Sequence, residues 1–194
     1  GTACNSIIVV AVLSAEWQVK KPVLQLNISD PTIYLDMDGV LVDFFGAFAK
    51  FSGVEHWKHI DQRKLQDVLD KITGSDFFAK LPKTKTCDNI IKMAIDFAGS
   101  YSILSSPLRG DISNSSKHKQ IWVTNNLSPQ PRETIIVRDK ALYAAANGVQ
   151  NILIDDRGSN IDKWRQAGGY GIKYQADEDN LSVISEALKA YERE

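Results

Sequence analysis

The sequence predicts an α/β protein with a mainly parallel sheet flanked by helices, and three observations predict it. From Pro31 onward, short apolar runs alternate with longer amphipathic stretches, the pattern of strands joined by crossover helices. Acidic, hydroxyl and basic residues directly follow several of these runs, where an open α/β sheet binds its ligands. The 194 residues, 43% hydrophobic and 24% charged, suffice for one compact domain with its own core.

The elements follow in order. Residues 1–30 read as an N-terminal extension: Ile7–Leu13 is rich in β-branched residues, and in Val23–Ile28 the alternation puts Leu24, Leu26 and Ile28 on one face, which fits two strands. The main domain spans residues 31–194. Its core strands are expected at Thr32–Leu35, Tyr101–Leu104, Thr134–Val137, Ile152–Ile154 and Gly171–Tyr174. Residues 45–98 are too long for an ordinary crossover and carry helical patterns broken at Gly53 and Gly74, so they are read as a small helical cap inserted after the first core strand. A helix over Asn160–Ala167 stops at Gly168–Gly169. Leu181, Ile184, Leu188 and Tyr191 mark one face of a last helix capped by Asn180.

Charge and cysteine count narrow the function classes. Lys plus Arg number 23 against 24 Asp plus Glu, so no basic excess draws the chain to a long nucleic acid or a membrane surface. Cys4 and Cys87 are too few for a disulfide framework and lack zinc-site spacing, which points to reduced thiols and a cytoplasmic setting. The run Ile7–Leu13 is far short of the roughly 20 residues of a membrane helix. With no basic flank before it, a signal peptide is also a poor reading. His56, His59 and His118 read as surface residues.

The strand ends are of one chemical kind. The first strand runs into Asp36-Met37-Asp38-Gly39-Val40, the second into Ser105-Ser106-Pro107, the third into Arg138-Asp139-Lys140 and the fourth into Asp155-Asp156. Carboxylates from two strand ends, a hydroxyl from a third and a lysine near another form a set suited to magnesium and a phosphate. Magnesium is preferred to zinc because the ligands on offer are all oxygen.

In this order the motifs resemble those of the haloacid dehalogenase superfamily, and most closely its 5'(3')-deoxyribonucleotidases. Asp36 to Leu41 is similar to the superfamily's first motif. Ser105-Ser106-Pro107 stands where the nucleotidases carry Thr-Ser-Pro, and Arg138-Asp139-Lys140 matches their Arg-Asp-Lys. Lys119 with Trp122-Val123 matches a Lys-x-x-Trp-Val segment. The likeness runs from about Ile33 to Asp156 and is poor in the cap.

The resemblance implies a Rossmann-like fold and a magnesium-dependent phosphate monoester hydrolase working through an aspartyl phosphate. Asp36 would be the nucleophile and Asp38 the general acid and base, with its main-chain carbonyl toward the metal. Ser105 and Ser106 would bind the phosphoryl oxygens, and Lys140 would offset their charge. The stretch between Lys140 and Asp155 is longer than in the nucleotidases, so Lys117 and Lys119 remain alternatives for the lysine. The metal set implied is Asp36, Asp38, Asp155 and Asp156, with Asp156 the direct ligand and Asp155 steering Lys140 or a metal-bound water. Arg109 falls where the nucleotidases carry a basic residue. Phe44 coincides with an aromatic that packs on the base, and Phe45, Phe48, Phe77 and Phe78 would extend an apolar roof. The expected substrate is a small phosphorylated molecule, a (deoxy)ribonucleoside monophosphate by this likeness. Another phosphorylated metabolite, or a catalytically silent module that kept the fold for binding, is the alternative.

Overall fold

The structure, a computed structural model, describes residues 30–192. The two strands expected in the N-terminal extension lie outside the described residues. The sheet contains β1 (Ile33–Leu35), β2 (Ser102–Ser105), β3 (Thr134–Ile136), β6 (Ile152–Asp155) and β7 (Tyr170–Lys173), with a separate pair, β4 (Ala145–Ala146) and β5 (Val149–Gln150). Its order is β3-β2-β1-β6-β7, and every neighbouring pair is parallel. All five expected core strands are present, each within a residue of its predicted bounds.

Alternation within the strands explains why they layer. Ile33 and Leu35 of β1 join Ile103, Ile152, Ile154 and Ile172 in one core cluster, while Tyr34 joins Leu104 and Leu153 in a second. The sheet is therefore buried on both faces, as a parallel sheet must be. Each such side chain contributes about 1.5–3 kcal/mol by burial, against about 0.5–1.5 kcal/mol net for a ladder hydrogen bond. The two apolar layers, more than the short ladders, hold the sheet together.

The helices are α1 (Phe44–Phe51), α2 (Gln62–Ile72), α3 (Cys87–Ala98), α4 (Ile112–Asn126), α5 (Gly158–Gln166) and α6 (Ser182–Tyr191). Right-handed crossovers decide which face each one covers. The chain steps outward from β1 to β2 and β3 through α3 and α4, whose Ile90, Ile91, Trp122 and Val123 enter the first cluster. It then returns past β1 to β6, so α5 lies on the opposite face and buries Ile161 and Trp164 in the second. Helix α6 comes back to the first layer through Ile184 and Leu188. Asn180 Oδ1 accepts a hydrogen bond from the Ser182 amide at 2.9 Å, which fixes the start of α6. The reversal leaves a crevice between the carboxyl ends of β1 and β6, the usual ligand position in such sheets.

Two insertions interrupt the strand and helix alternation, one beside that crevice and one leading from it to the amino ends of the strands. Between β1 and β2 lie α1, a short 3-10 helix (Trp57–His59), α2, a second 3-10 helix (Phe77–Lys80) and α3. Between Lys140 and Asp155, the extra length noted in the sequence forms a 3-10 helix (Lys140–Tyr143) and the β4–β5 hairpin. Asn147 and Gly148 at its tip both have positive φ, 52° and 77°, the Asn-Gly turn whose twist suits a two-residue hairpin. Among the described residues, no helix is long and apolar enough to cross a membrane.

Candidate active site

The loop after β1 is shaped by what it buries. Met37, Val40, Leu41 and Val42 are all buried, and the amides of Val40, Leu41 and Val42 converge on the Met37 carbonyl at 2.9–3.1 Å. Thr84 Oγ1 donates to the Val40 carbonyl at 2.9 Å, and the Ala176 amide to the Gly39 carbonyl at 2.8 Å, clasping the loop from two sides. With the apolar residues turned inward, Asp36, Asp38 and Gly39 are left to the crevice. Gly39 has φ +81°, and a Cβ there would lie 2.6 Å from both Asp156 Oδ2 and Phe45 Cε2. The backbone passes so close to the Asp156 carboxylate that only glycine fits.

Three carboxylates meet at the crevice. The Asp36 amide donates to the Ile154 carbonyl at 3.0 Å, so the end of β1 lies beside the end of β6. Oxygens of Asp36, Asp155 and Asp156 all come within 4.8 Å of one another. Asp155 is fully buried and well satisfied: its oxygens accept from Lys140 Nζ at 2.7 Å, the Arg157 amide at 2.8 Å and Asn160 Nδ2 at 3.1 Å. Lys140 also donates to Asp36 Oδ1 at 2.9 Å. Two of the three ammonium protons are thereby used and one is left over.

One lysine cannot neutralise three clustered carboxylates, two of them buried and the third, Asp156, half-buried. Burial, then the Asp155 charge, raises the Asp36 pKa to about 6, with Lys140 pulling the other way. Burial, then Asp36 and Asp155, pushes Asp156 up to about 9. Burial alone would lower the pKa of Lys140, but Asp36 and Asp155 outweigh it and raise the value, so the ammonium stays charged. The donor set fits a hard divalent cation such as magnesium: all-oxygen, clustered and short of positive charge.

The second half of the crevice is built on Lys119. This α4 residue is 2% exposed and donates to Asp38 Oδ2 at 2.8 Å, Ser105 Oγ at 3.0 Å and the Ser106 carbonyl at 2.7 Å. The Phe78 ring lies 5.0 Å from its ammonium. Asp38 Oδ1 is buried with no hydrogen-bond partner among the described residues. Ser115 Oγ accepts from the Leu108 amide at 2.9 Å and so ties the loop after β2 to α4.

Asp36, Asp38, Ser105, Lys140, Asp155 and Asp156 thus converge, and Ser106 contributes its carbonyl. Arg109 is exposed on the loop before α4 and pairs with no acidic group among the described residues. Lys117 is exposed on α4, away from the carboxylates that Lys119 and Lys140 engage. Phe44 is half-buried and makes ring contacts with Phe45, Phe48, Phe77 and Phe78 at 5.2–6.2 Å. Phe45 borders the carboxylates through Gly39 and packs on Trp57 at 4.9 Å, whose Nε1 donates to Asp177 at 3.4 Å. Sequence reasoning missed the engagement of both lysines at once, Asn160 on Asp155, and Trp57. The first had a visible signal, since Ser115, Lys119 and Trp122 recur at helical spacing on one face.

No family model matches the chain, and no curated protein does. Solved structures do. A hydrolase from Streptococcus pneumoniae aligns at a TM-score of 0.50 and 11% identity, over 81% of this chain and 99% of that one. A haloacid dehalogenase-superfamily hydrolase from Ehrlichia chaffeensis aligns at 0.49 and 13%, over 84% and 98%. A haloacid dehalogenase-family enzyme from Bacteroides thetaiotaomicron, in complex with magnesium and inorganic phosphate, aligns at 0.48 and 14%, over 80% and 99%. At 11% identity the likeness to the Streptococcus pneumoniae hydrolase speaks for the fold alone, an α/β architecture with a mainly parallel sheet between helices.

Proposed function

We propose that this chain is a magnesium-dependent phosphate monoester hydrolase of the haloacid dehalogenase superfamily, acting through an aspartyl phosphate on Asp36. The observation that carries this reading is the meeting of Asp36, Asp155 and Asp156 within 4.8 Å at the β1–β6 crevice, with Lys140 between Asp36 and Asp155. Asp36 and Asp156 would hold the cation with the Asp38 main-chain carbonyl, and Asp155 would mainly hold Lys140, since its own oxygens already have three partners. When bound, magnesium supplies positive charge against the phosphate and the carboxylates.

The chain's own residues then divide the work. An Asp36 oxygen attacks phosphorus while the bond from phosphorus to the leaving oxygen breaks. Asp38 gives its proton to that oxygen, releasing the alcohol. Asp38 then takes a proton from water as the water attacks the aspartyl phosphate, returning Asp36 and freeing inorganic phosphate. The spare Lys140 N–H and the Ser105 and Ser106 donors serve the phosphoryl oxygens.

For the substrate we propose a small phosphorylated metabolite, a nucleoside monophosphate in the first instance, in keeping with the nucleotidase-like motifs and the phenylalanine-rich cap around Phe44. Residues 45–98 act in this reading as the specificity cap on a hydrolase domain of residues 31–194. A cytoplasmic setting accords with the chain's two cysteines, of which Cys87 is a buried free thiol. The test is hydrolysis of p-nitrophenyl phosphate with and without magnesium. Turnover should vanish in excess chelator and return with magnesium, and Asp36→Asn should abolish both turnover and a hydroxylamine-sensitive phosphoenzyme. Unchanged activity in chelator, or a folded Asp36→Asn variant of near wild-type rate, sinks the reading.

A further inference from the structure

We infer that Lys119 is a positioning residue for proton transfer: it grips Asp38 by Oδ2 and so sets the orientation of the carboxyl group that serves the leaving group. The inference deepens the proposed phosphatase reading and rests on it. Its basis is a lysine with every N–H engaged beside a carboxyl group with one oxygen unpartnered. An ammonium has three N–H groups. Those of Lys119 go to Asp38 Oδ2, Ser105 Oγ and the Ser106 carbonyl, at 2.8, 3.0 and 2.7 Å. None is left to reach a phosphate, in contrast to Lys140, which has two partners. A lysine this buried is ordinarily there because a carboxylate holds it, and here that carboxylate is Asp38, 81 residues away in the chain. Asp38 in turn has one oxygen pinned and the other buried without a partner.

A carboxyl group with a fixed orientation is what a general acid needs. Proton transfer requires one carboxyl oxygen within hydrogen-bond reach of the departing oxygen. A free aspartate side chain rotates between conformers, whereas a carboxylate tied through one oxygen to an immobile ammonium has its orientation set. Lys119 is immobile because it is enclosed on several sides: by the ends of β1 and β2 through Asp38 and Ser105, and by Phe78 of the Phe77–Lys80 helix. Helix α4 is anchored below by the buried Trp122, whose Nε1 donates to the Leu81 carbonyl at 2.6 Å. The same lysine therefore touches the core and the inserted segment, so the acid takes its orientation from both.

The experiment compares leaving groups. In p-nitrophenyl phosphate the leaving oxygen departs as a stable phenolate and needs little protonation, whereas in glycerol 2-phosphate it needs a proton as it leaves. The measured quantity is kcat/KM with saturating magnesium, which stops at departure of the leaving group and is blind to the later hydrolysis of the aspartyl phosphate. Inhibition by inorganic phosphate reports the phosphate site separately.

Asp38→Asn should reduce kcat/KM for the alkyl ester by about 10²–10⁴-fold and for the aryl ester far less. Lys119→Met should reproduce that selectivity, with the alkyl ester losing at least about tenfold more than the aryl ester and phosphate inhibition staying within about threefold of wild type. Lys119→Arg keeps the charge but cannot put one nitrogen among three acceptors, so it should fall between; it carries the comparison if the methionine variant does not fold. Equal losses on both esters, or phosphate inhibition that weakens in step with them, would overturn the inference and make Lys119 a phosphate-site or purely structural residue. Should Asp38→Asn itself lose both esters equally, the acid role of Asp38 fails, and the positioning role of Lys119 fails with it.

Discussion

Lys140→Met removes the charge at the centre of the carboxylate cluster while keeping an unbranched side chain of similar length. The structure lets the loss be apportioned. Asp155 would keep the Arg157 amide and Asn160, at 2.8 and 3.1 Å, but Asp36 would lose its charged donor and keep only the neighbouring Asp156 carboxyl. Breaking a buried pair by removing one partner costs about 3–5 kcal/mol, and that is the stability loss expected near neutral pH without metal. The pH dependence has a definite sign. Asp36 and Asp156 have folded-state pKa values raised to about 6 and about 9. Between their ordinary carboxylate range and those values the folded protein holds protons that the unfolded chain has released, so metal-free stability falls as pH rises through that window. Without Lys140 to pull the Asp36 value down, the variant should fall further. Its deficit against wild type should be small at about pH 4–5 and largest above the wild-type Asp36 value of about 6. Magnesium at about 100 times its dissociation constant should add about 2.7 kcal/mol to wild type, and at the same concentration at least as much to the variant, where no ammonium competes with it. Turnover should drop about 10²–10³-fold, as for loss of one preorganised donor. Urea unfolding at two pH values, with and without magnesium, reads the first effects and p-nitrophenyl phosphate hydrolysis the last. A deficit no larger at about pH 8 than at about pH 5, or near wild-type turnover, would refute the reasoning.

Two further outcomes follow from the loop and the cap. Gly39→Ala places a Cβ in left-handed backbone and 2.6 Å from Asp156 Oδ2, so it should cost at least about 1–2 kcal/mol of stability and blunt the rise in Tm that magnesium gives wild type; a wild-type metal response would show that Asp156 does not hold the cation. Phe44→Ala opens a cluster of four ring contacts and should lose about 3–5 kcal/mol of stability. If a base also stacks there, KM for a nucleoside monophosphate should rise by the equivalent of about 1–3 kcal/mol while a base-free phosphate is hydrolysed as before; an equal drop on both substrates would assign Phe44 to packing alone.

How much of this the sequence showed depended on whether the residues on a buried face were apolar. The runs at Ile33, Ile103 and Ile152 are continuously buried because the sheet is covered on both sides, and short runs of this kind marked the core strands. The carboxylates at the ends of β1 and β6 were legible for the related reason that a strand end is where an open sheet meets its ligand. Helix α4 was harder, since its buried residues are Ser115, Lys119, Trp122 and Val123. Two of the four are polar because that face lines the site, so the apolar stripe that marks a helix is interrupted where function is densest. The β4–β5 hairpin was visible only as surplus length, its two-residue strands being too short for periodicity to register. Phe44 shows a different limit. Its place three residues after Leu41, the end of the first motif, cannot distinguish a ring offered to substrate from one enclosed by Phe48 and Phe78.

The charge balance of the site follows from the same geometry. The whole chain is nearly neutral, at a net charge of -1, so nothing in its overall field would attract a phosphate or a cation to one place. The attraction has to be local, and it is unevenly built. Lys119 serves Asp38, while Lys140 is shared by Asp36 and Asp155, and no lysine reaches Asp156 among the described residues. Four aspartates against two lysines leave the site two charges short, with the shortfall on the Asp36–Asp156 side. There burial pushes the Asp156 carboxyl up to about 9, and a bound divalent cation would bring it back toward its ionised form. A third lysine in place of the cation would fill the charge but also the space that a phosphate must enter. In the proposed reading a small ion leaves that space open, which accords with an acidic cluster that two lysines only partly offset.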